Sequence, residues 1–228
     1  MCRLKSAIIL KDRVYIPNHN SHSDMLKELD IADTQKNAEK LFVRAELTPK
    51  RDVFDPIDDW IYIVDQDILP DWYVEEYDKQ RMIDAVKEWA KNHIHQNVNN
   101  LKITDDTHYC KNCTNLIIDG GTANISGGKA NISGGTAHIS GGKANIYGGT
   151  AYITGGTAYI TGGTVDINGG KADIYGGVGI IPTDSSIDMI DITLYGDATL
   201  KDCRTKTIYQ SGDWQYKQVD NRGDDNGD

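Results

Sequence analysis

Residues 120–182 form nine consecutive seven-residue units, each opened by a Gly-Gly pair. They run from Gly120-Gly121-Thr122-Ala123-Asn124-Ile125-Ser126 to Gly176-Gly177-Val178-Gly179-Ile180-Ile181-Pro182. Isoleucine recurs at 125, 132, 139, 146, 153, 160, 167, 174 and 181, with Ala, Val or Gly two places earlier. Polar, small, polar, Ile, polar is a period-two pattern, which places the small residue and the isoleucine on one face of a strand. Gly-Gly turns the chain without a side chain in the way, because glycine accepts positive φ. The pattern therefore excludes a helix and leaves two packings. Antiparallel strands joined by Gly-Gly hairpins would form a meander whose Ala/Ile face needs an outside cover. Parallel strands wound into a β-solenoid, a parallel β-helix-like coil, would cover that face themselves.

The outward residues favour the coil. Lys129, Lys143 and Lys171 are separated by multiples of fourteen, and Tyr147 and Tyr175 keep the same phase. With two heptads per coil, Thr122, Thr136, Thr150 and Thr164 share one side, and Lys129, Lys143, Thr157 and Lys171 the other. A three-strand coil of twenty-one residues also satisfies the repeat. Nine units at two per coil give a rod only about 20 Å long at an inter-strand spacing of about 4.8 Å. Each buried isoleucine contributes roughly 2 kcal/mol against the ordering entropy of the turns, so the two ends of so short a stack need capping segments.

The chain divides on this basis into an α+β N-terminal domain over 1–97, an N-terminal cap of the repeat over 98–119, the heptad-repeat solenoid over 120–182 and C-terminal cap strands over 183–219. An acidic, unstructured tail occupies 220–228. In the first domain, strands are expected at Ala7 to Leu10, Val14 to Ile16, Phe42 to Leu47 and Trp60 to Val64. Short helices are capped by Ser23 and Thr34, and a long helix spans Asp78 to His93 with Met82, Ala85, Val86, Trp89 and Ala90 as its core stripe. Ile190, Ile192 and Leu194 resume the alternation before a turn at Gly196-Asp197.

The chain has 228 residues and a formal charge of −10, unevenly spread: residues 120–182 carry +1, residues 183–228 carry −5 and the first 119 carry −6. A nearly neutral rod cannot imitate a phosphate backbone, and no basic stripe with interleaved aromatics supports direct nucleic-acid binding. The run Ser6-Ala7-Ile8-Ile9-Leu10 is too short for a secretory signal or a membrane span. Four cysteines read as reduced thiols, and the expected compartment is the cytoplasm of a bacterial host.

Candidate chemistry is sparse. Cys110 and Cys113 form a Cys-x-x-Cys behind His108, half of a zinc site if Cys203 or another ligand approached, and otherwise ordinary thiols. His19 and His22 flank a polar loop, and His93 and His95 end the long helix, where a solvated loop and a helix C-terminus account for them. Asp55, Asp58 and Asp59, and Asp65 and Asp67, read as solvated loop charges. No catalytic, cofactor or metal ligand set is assigned. A uniform ice-ordering grid is broken by His138, Tyr152, Asp166 and Asn168. An interaction face is assigned to Lys129, Lys143, Lys171, Tyr147, Tyr152, Tyr159, Tyr175 and His138, because exposed tyrosines on a rigid face are of the type enriched at protein interfaces.

Met1-Cys2-Arg3-Leu4-Lys5-Ser6-Ala7-Ile8-Ile9, Ser21-His22-Ser23-Asp24, Phe42-Val43-Arg44-Ala45-Glu46-Leu47 and Val64-Asp65-Gln66-Asp67-Ile68-Leu69-Pro70-Asp71-Trp72 resemble the opening domain of uncharacterised bacteriophage and prophage proteins, in which a similar domain precedes short tandem repeats. The resemblance covers roughly residues 1–115 and implies a phage or mobile-element origin. It brings no catalytic residue and does not extend to the repeat. The expected function is a non-enzymatic protein-interaction module that binds, and inhibits, a host macromolecule such as a defence component. A self-assembling structural or virion-associated protein is the alternative, and an enzyme using His19, His22 and nearby acids a third reading. The expected partner is a host protein or a second copy of the chain.

Overall fold

The computed structural model describes residues 5–183, 185, 190–210 and 214–217, so the expectation for the tail 220–228 lies outside the described residues. The chain separates into two compact units, 1–94 and 95–228.

The first unit is a four-stranded antiparallel sheet in the order β2-β1-β3-β4, from β1 (Lys5–Leu10), β2 (Val14–Tyr15), β3 (Phe42–Thr48) and β4 (Ile61–Val64). Helices α1 (His22–Glu28) and α2 (Gln35–Ala38) cover one face, where Met25, Leu26 and Ala38 meet Ile8 and Phe42. Helix α3 (Glu75–His93) covers the other, where Met82, Ile83 and Val86 meet Ala7, Ile9, Val43, Ala45 and Leu47. Burial on both faces explains why β1 reads as a continuous apolar run rather than an alternation.

Two helix starts differ from the sequence reading. Ser21, not Ser23, caps α1: its backbone is extended and its side chain accepts the Asp24 N–H at 3.3 Å. Asp78 is not the start of α3 but folds back, buried, to accept the Val74 N–H at 2.9 Å while Arg81 donates to it at 2.6 Å. Thr34 caps α2 as expected, accepting from the Asn37 N–H.

The second unit is a β-solenoid of parallel stacked strands, so the meander is excluded. It contains β5 (Ile94–Gln96), β6 (Lys102–Ile103), β7 (Thr107–Lys111), β8 (Cys113–Ile118), β9 (Thr122–Ile132), β10 (Thr136–Ile146), β11 (Thr150–Ile153) and β12 (Thr157–Ile160). It continues through β13 (Thr164–Ile167), β14 (Gly170–Ile174), β15 (Val178–Ile181), β16 (Ile190–Leu194), β17 (Thr199–Asp202), β18 (Thr207–Gln210) and β19 (Trp214–Lys217). One ladder runs from β7 through the first halves of β9 and β10 to β11, β13, β15 and β17. The other runs from β8 through their second halves to β12, β14 and β16. Within the repeat, partners lie fourteen residues apart: Thr122 pairs with Thr136, Ala137 with Ala151, Ile146 with Ile160.

The alternating Ala and Ile of both ladders merge into one interior column, joined by Cys110, Leu116 and Ile118 before the repeat and by Ile192, Leu194 and Leu200 after it. The ladders therefore run past the repeat on both sides. Strands β6 to β8, in the segment expected as a cap, are parallel members at a register of about one further residue per turn: Thr107 pairs with Thr122, and Lys102 with Ile117. After Pro182 the turns lengthen, Gly170 pairing with Ile190 and Val178 with Thr199. Among the described residues of this unit, only β18 and β19 reverse direction, lying antiparallel on β17 and β16. Irregular spacing hid these outer turns, because the Gly-Gly pairs that mark the period are absent there.

Candidate interaction surface

A parallel stack in register brings residues fourteen apart to about 4.8 Å, the distance at which side chains stack. On the first ladder this builds a column of Thr122, Thr136, Thr150 and Thr164 beside one of Asn124, His138, Tyr152 and Asp166. The rings of His138 and Tyr152 lie face to face, centroids 4.9 Å apart. On the second ladder Lys129, Lys143, Thr157 and Lys171 stand beside Asn131, Asn145, Tyr159 and Asp173. Asn145 Nδ2 donates to Asn131 Oδ1 at 2.9 Å, one rung of an amide ladder.

The corner that follows the second ladder carries Ser133, Tyr147, Thr161, Tyr175 and Tyr195. Tyr175 and Tyr195 stack at 4.5 Å. The corner hydroxyls are occupied: Ser133, Ser140, Thr154 and Thr161 each donate to the carbonyl of the isoleucine fifteen residues back, at 3.2–3.4 Å. They bind the stack to itself rather than offering a hydroxyl grid to solvent.

Of the eight residues assigned from sequence, six thus meet on one sheet and its corner: Lys129, Lys143, Lys171, Tyr159, Tyr147 and Tyr175. His138 and Tyr152 stand on the other ladder. Lys171 Nζ lies 3.9 Å from Asp191 and 4.0 Å from Asp173. Lys129 and Lys143 are exposed with no carboxylate at ion-pair distance among the described residues. Tyr195 was missed, although Leu194-Tyr195-Gly196 repeats the pattern of Ile174-Tyr175-Gly176; the lengthened turn put it off the fourteen-residue phase.

Cys110 and Cys113 are interior residues. Cys110 stands in register with Ile125 and Cys113 with Gly128, and both are buried, whereas Cys203 follows β17 at the far end of the stack. Burial, and then the neighbouring Cys113, push the Cys110 thiol up to about 12. Since only the thiolate is reactive, peptide mapping after iodoacetamide at pH 8 should find Cys110 unmodified in the folded chain and fully modified in urea. His108 points along the same inward column and stacks on His95, Nδ1 to Nε2 at 3.1 Å.

His93 closes α3, the helix C-terminus expected for it. It is buried, stacked on Trp89 at 4.5 Å, with Nδ1 2.7 Å from the Trp89 carbonyl. His19 Nε2 sits 3.0 Å from Glu28, which also accepts the Tyr15 hydroxyl at 2.7 Å. Asp58 pairs with Lys87, and Asp55 accepts the Asp52 N–H and lies 3.5 Å from Arg51, as loop charges. Asp65, by contrast, comes to within 3.4 Å of His22 Nδ1.

No helix among the described residues is long and apolar enough to cross a membrane. No family model matches the chain, no curated protein matches its sequence and no solved structure matches its fold.

Proposed function

We propose that the chain is a non-enzymatic protein-interaction module of phage or mobile-element origin, acting in the cytoplasm of a bacterial host, where it binds and inhibits a host protein such as a defence component. The heptad is its building unit, two to a coil, and the face of Lys129, Lys143, Tyr159, Tyr147 and Tyr175 is the contact surface. The observation that carries this reading is that rigid, stacked strands present two unpaired ammonium groups and three exposed tyrosines together on a chain of net charge −10. Tyrosines supply large contact area at low entropy cost, and an isolated basic face selects an acidic partner surface. The origin rests on the resemblance of the first 115 residues alone.

The test is affinity capture from bacterial lysate, comparing the intact chain with Lys143→Glu/Tyr159→Ala and with His138→Ala. A stoichiometric host protein should be retained by the intact chain and by His138→Ala. The double substitution should weaken it by about 30-fold or more, the effect of losing an interface hot spot of about 2 kcal/mol. Equal retention by all three removes the face from this role. Concentration-dependent sedimentation, abolished by the same double substitution, would replace the host partner with a second copy.

A further inference from the structure

Three side chains from three separate segments converge on the α1 face of the first unit: His22 at the start of α1, Glu46 in β3 and Asp65 just beyond β4. One ligand atom from each lies within 4.8 Å of the other two. His22 Nε2 sits 3.3 Å from the Ala45 carbonyl, and a carbonyl only accepts, so Nε2 carries the ring proton. In the neutral ring, Nδ1 then turns its lone pair toward the Asp65 carboxylate at 3.4 Å, with Glu46 beside it. A cation between these acceptors would offset their mutual repulsion.

We infer that His22 Nδ1, Glu46 and Asp65 bind one divalent transition-metal ion of the zinc class. Two ligands about 2.1 Å from a tetrahedral ion are separated by about 3.4 Å, the spacing found between Nδ1 and Asp65. The bond from Nε2 to a backbone carbonyl is the outer-shell contact that orients metal-binding imidazoles and raises their basicity. One imidazole with two carboxylates is a borderline donor set that suits Zn2+ and Mn2+ ahead of Mg2+ or Ca2+. The imidazole is held in a packed position with 10% of its side chain exposed, while Asp65 is 62% exposed and leaves the ion a route from solvent.

A second observation points to the same place. Ser6 is fully buried and its Oγ has no hydrogen-bond partner, although its backbone N–H is satisfied by Asn20 Oδ1 at 3.1 Å. Ser6 is the direct cross-strand partner of Glu46, so the two side chains leave the sheet on the same face. An orphaned buried hydroxyl is costly, and a metal-bound water or a metal-bound Glu46 carboxylate supplies the partner it lacks.

The experiment is equilibrium dialysis of the full chain, stripped with EDTA, against buffered Zn2+ and separately Mn2+, with elemental analysis of the retained ion. One equivalent of Zn2+ per chain is expected. Asp65→Asn and Glu46→Gln should each weaken retention about tenfold or more, while Cys110→Ser/Cys113→Ser leaves it unchanged. Asp65 is exposed, so its substitution keeps the fold, which far-UV circular dichroism verifies. No retained equivalent, or an equivalent held equally by the Asp65→Asn/Glu46→Gln chain, overturns the site.

Discussion

Gly142→Ala destabilises the solenoid by at least about 2 kcal/mol, whereas Gly141→Ala leaves it unchanged or stabilises it by about 0.4–1 kcal/mol. The two residues are adjacent and identical, and only the coil around them differs. Gly142 has φ of +80°, where an L side chain is strained, and a Cβ there would stand 2.5 Å from the Gly128 carbonyl oxygen of the preceding turn. A Cβ on Gly141 would come no nearer than 3.8 Å to Gly127, ordinary van der Waals contact. Its backbone angle is also outside the left-handed region, so alanine there mainly reduces the freedom of the unfolded chain. Urea unfolding of the two single variants measures the contrast. Equal midpoints would mean that the corners are not stacked as closely as the register requires.

Arg204→Ala costs about 3 kcal/mol and loosens the last parallel turn. Asp202 occupies the inward position of β17, in register with Ile181, and is fully buried. Arg204 holds it through Nε at 3.1 Å and Nη2 at 3.0 Å, and its own N–H donates to the same carboxylate at 3.0 Å. Removing one partner of a buried pair leaves a charge without compensation, typically about 3–5 kcal/mol. The lower end applies because the arginine is 17% exposed.

The pH dependence gives an independent check. Burial opposes ionisation of Asp202, but the hydrogen bonds and charge of Arg204 outweigh it and hold the carboxyl below its ordinary value. A lowered folded-state value means that this stabilisation is complete above about pH 4 and is lost as pH falls further. Without the guanidinium, burial is opposed only by the backbone N–H groups of residues 204 and 205, so the deficit of the variant should shrink on acidification. Hydrogen exchange of β17 and β18 at pH 7 and pH 3.5 measures both effects. A deficit independent of pH would show that Arg204 acts through packing alone.

Most of the solenoid's construction was legible from residues 120–182. Which residues face inward, where the chain turns and the fourteen-residue phase of the lysines all follow from period-two alternation and glycine's backbone freedom, which are local properties. The outer turns were less legible because Cys110, Leu116 and Leu200 take inward places without a Gly-Gly corner to mark them. In the first unit, strand and helix positions were readable to within a few residues. The exact starts of α1 and α3 were not, since Asp78 can begin a helix or fold back on one, and only packing separates the two.

Thr150-Ala151-Tyr152-Ile153 and Thr157-Ala158-Tyr159-Ile160 are identical in sequence, yet they stand on opposite sheets of the solenoid. Local chemistry therefore determined that both tyrosines point outward, and only the closing of each turn decided which joins Lys129 and Lys143. The same holds for His22, Glu46 and Asp65, separated by 24 and 19 residues and brought together by the pairing of β1, β3 and β4. The sequence by itself determined the turn, the inward faces and the parity of each strand, because these depend on neighbours along the chain. Tertiary structure alone decided the parallel sense of the ladders, the membership of the lysine and tyrosine face and the meeting of one imidazole with two carboxylates, because each depends on contacts between residues a full turn or more apart.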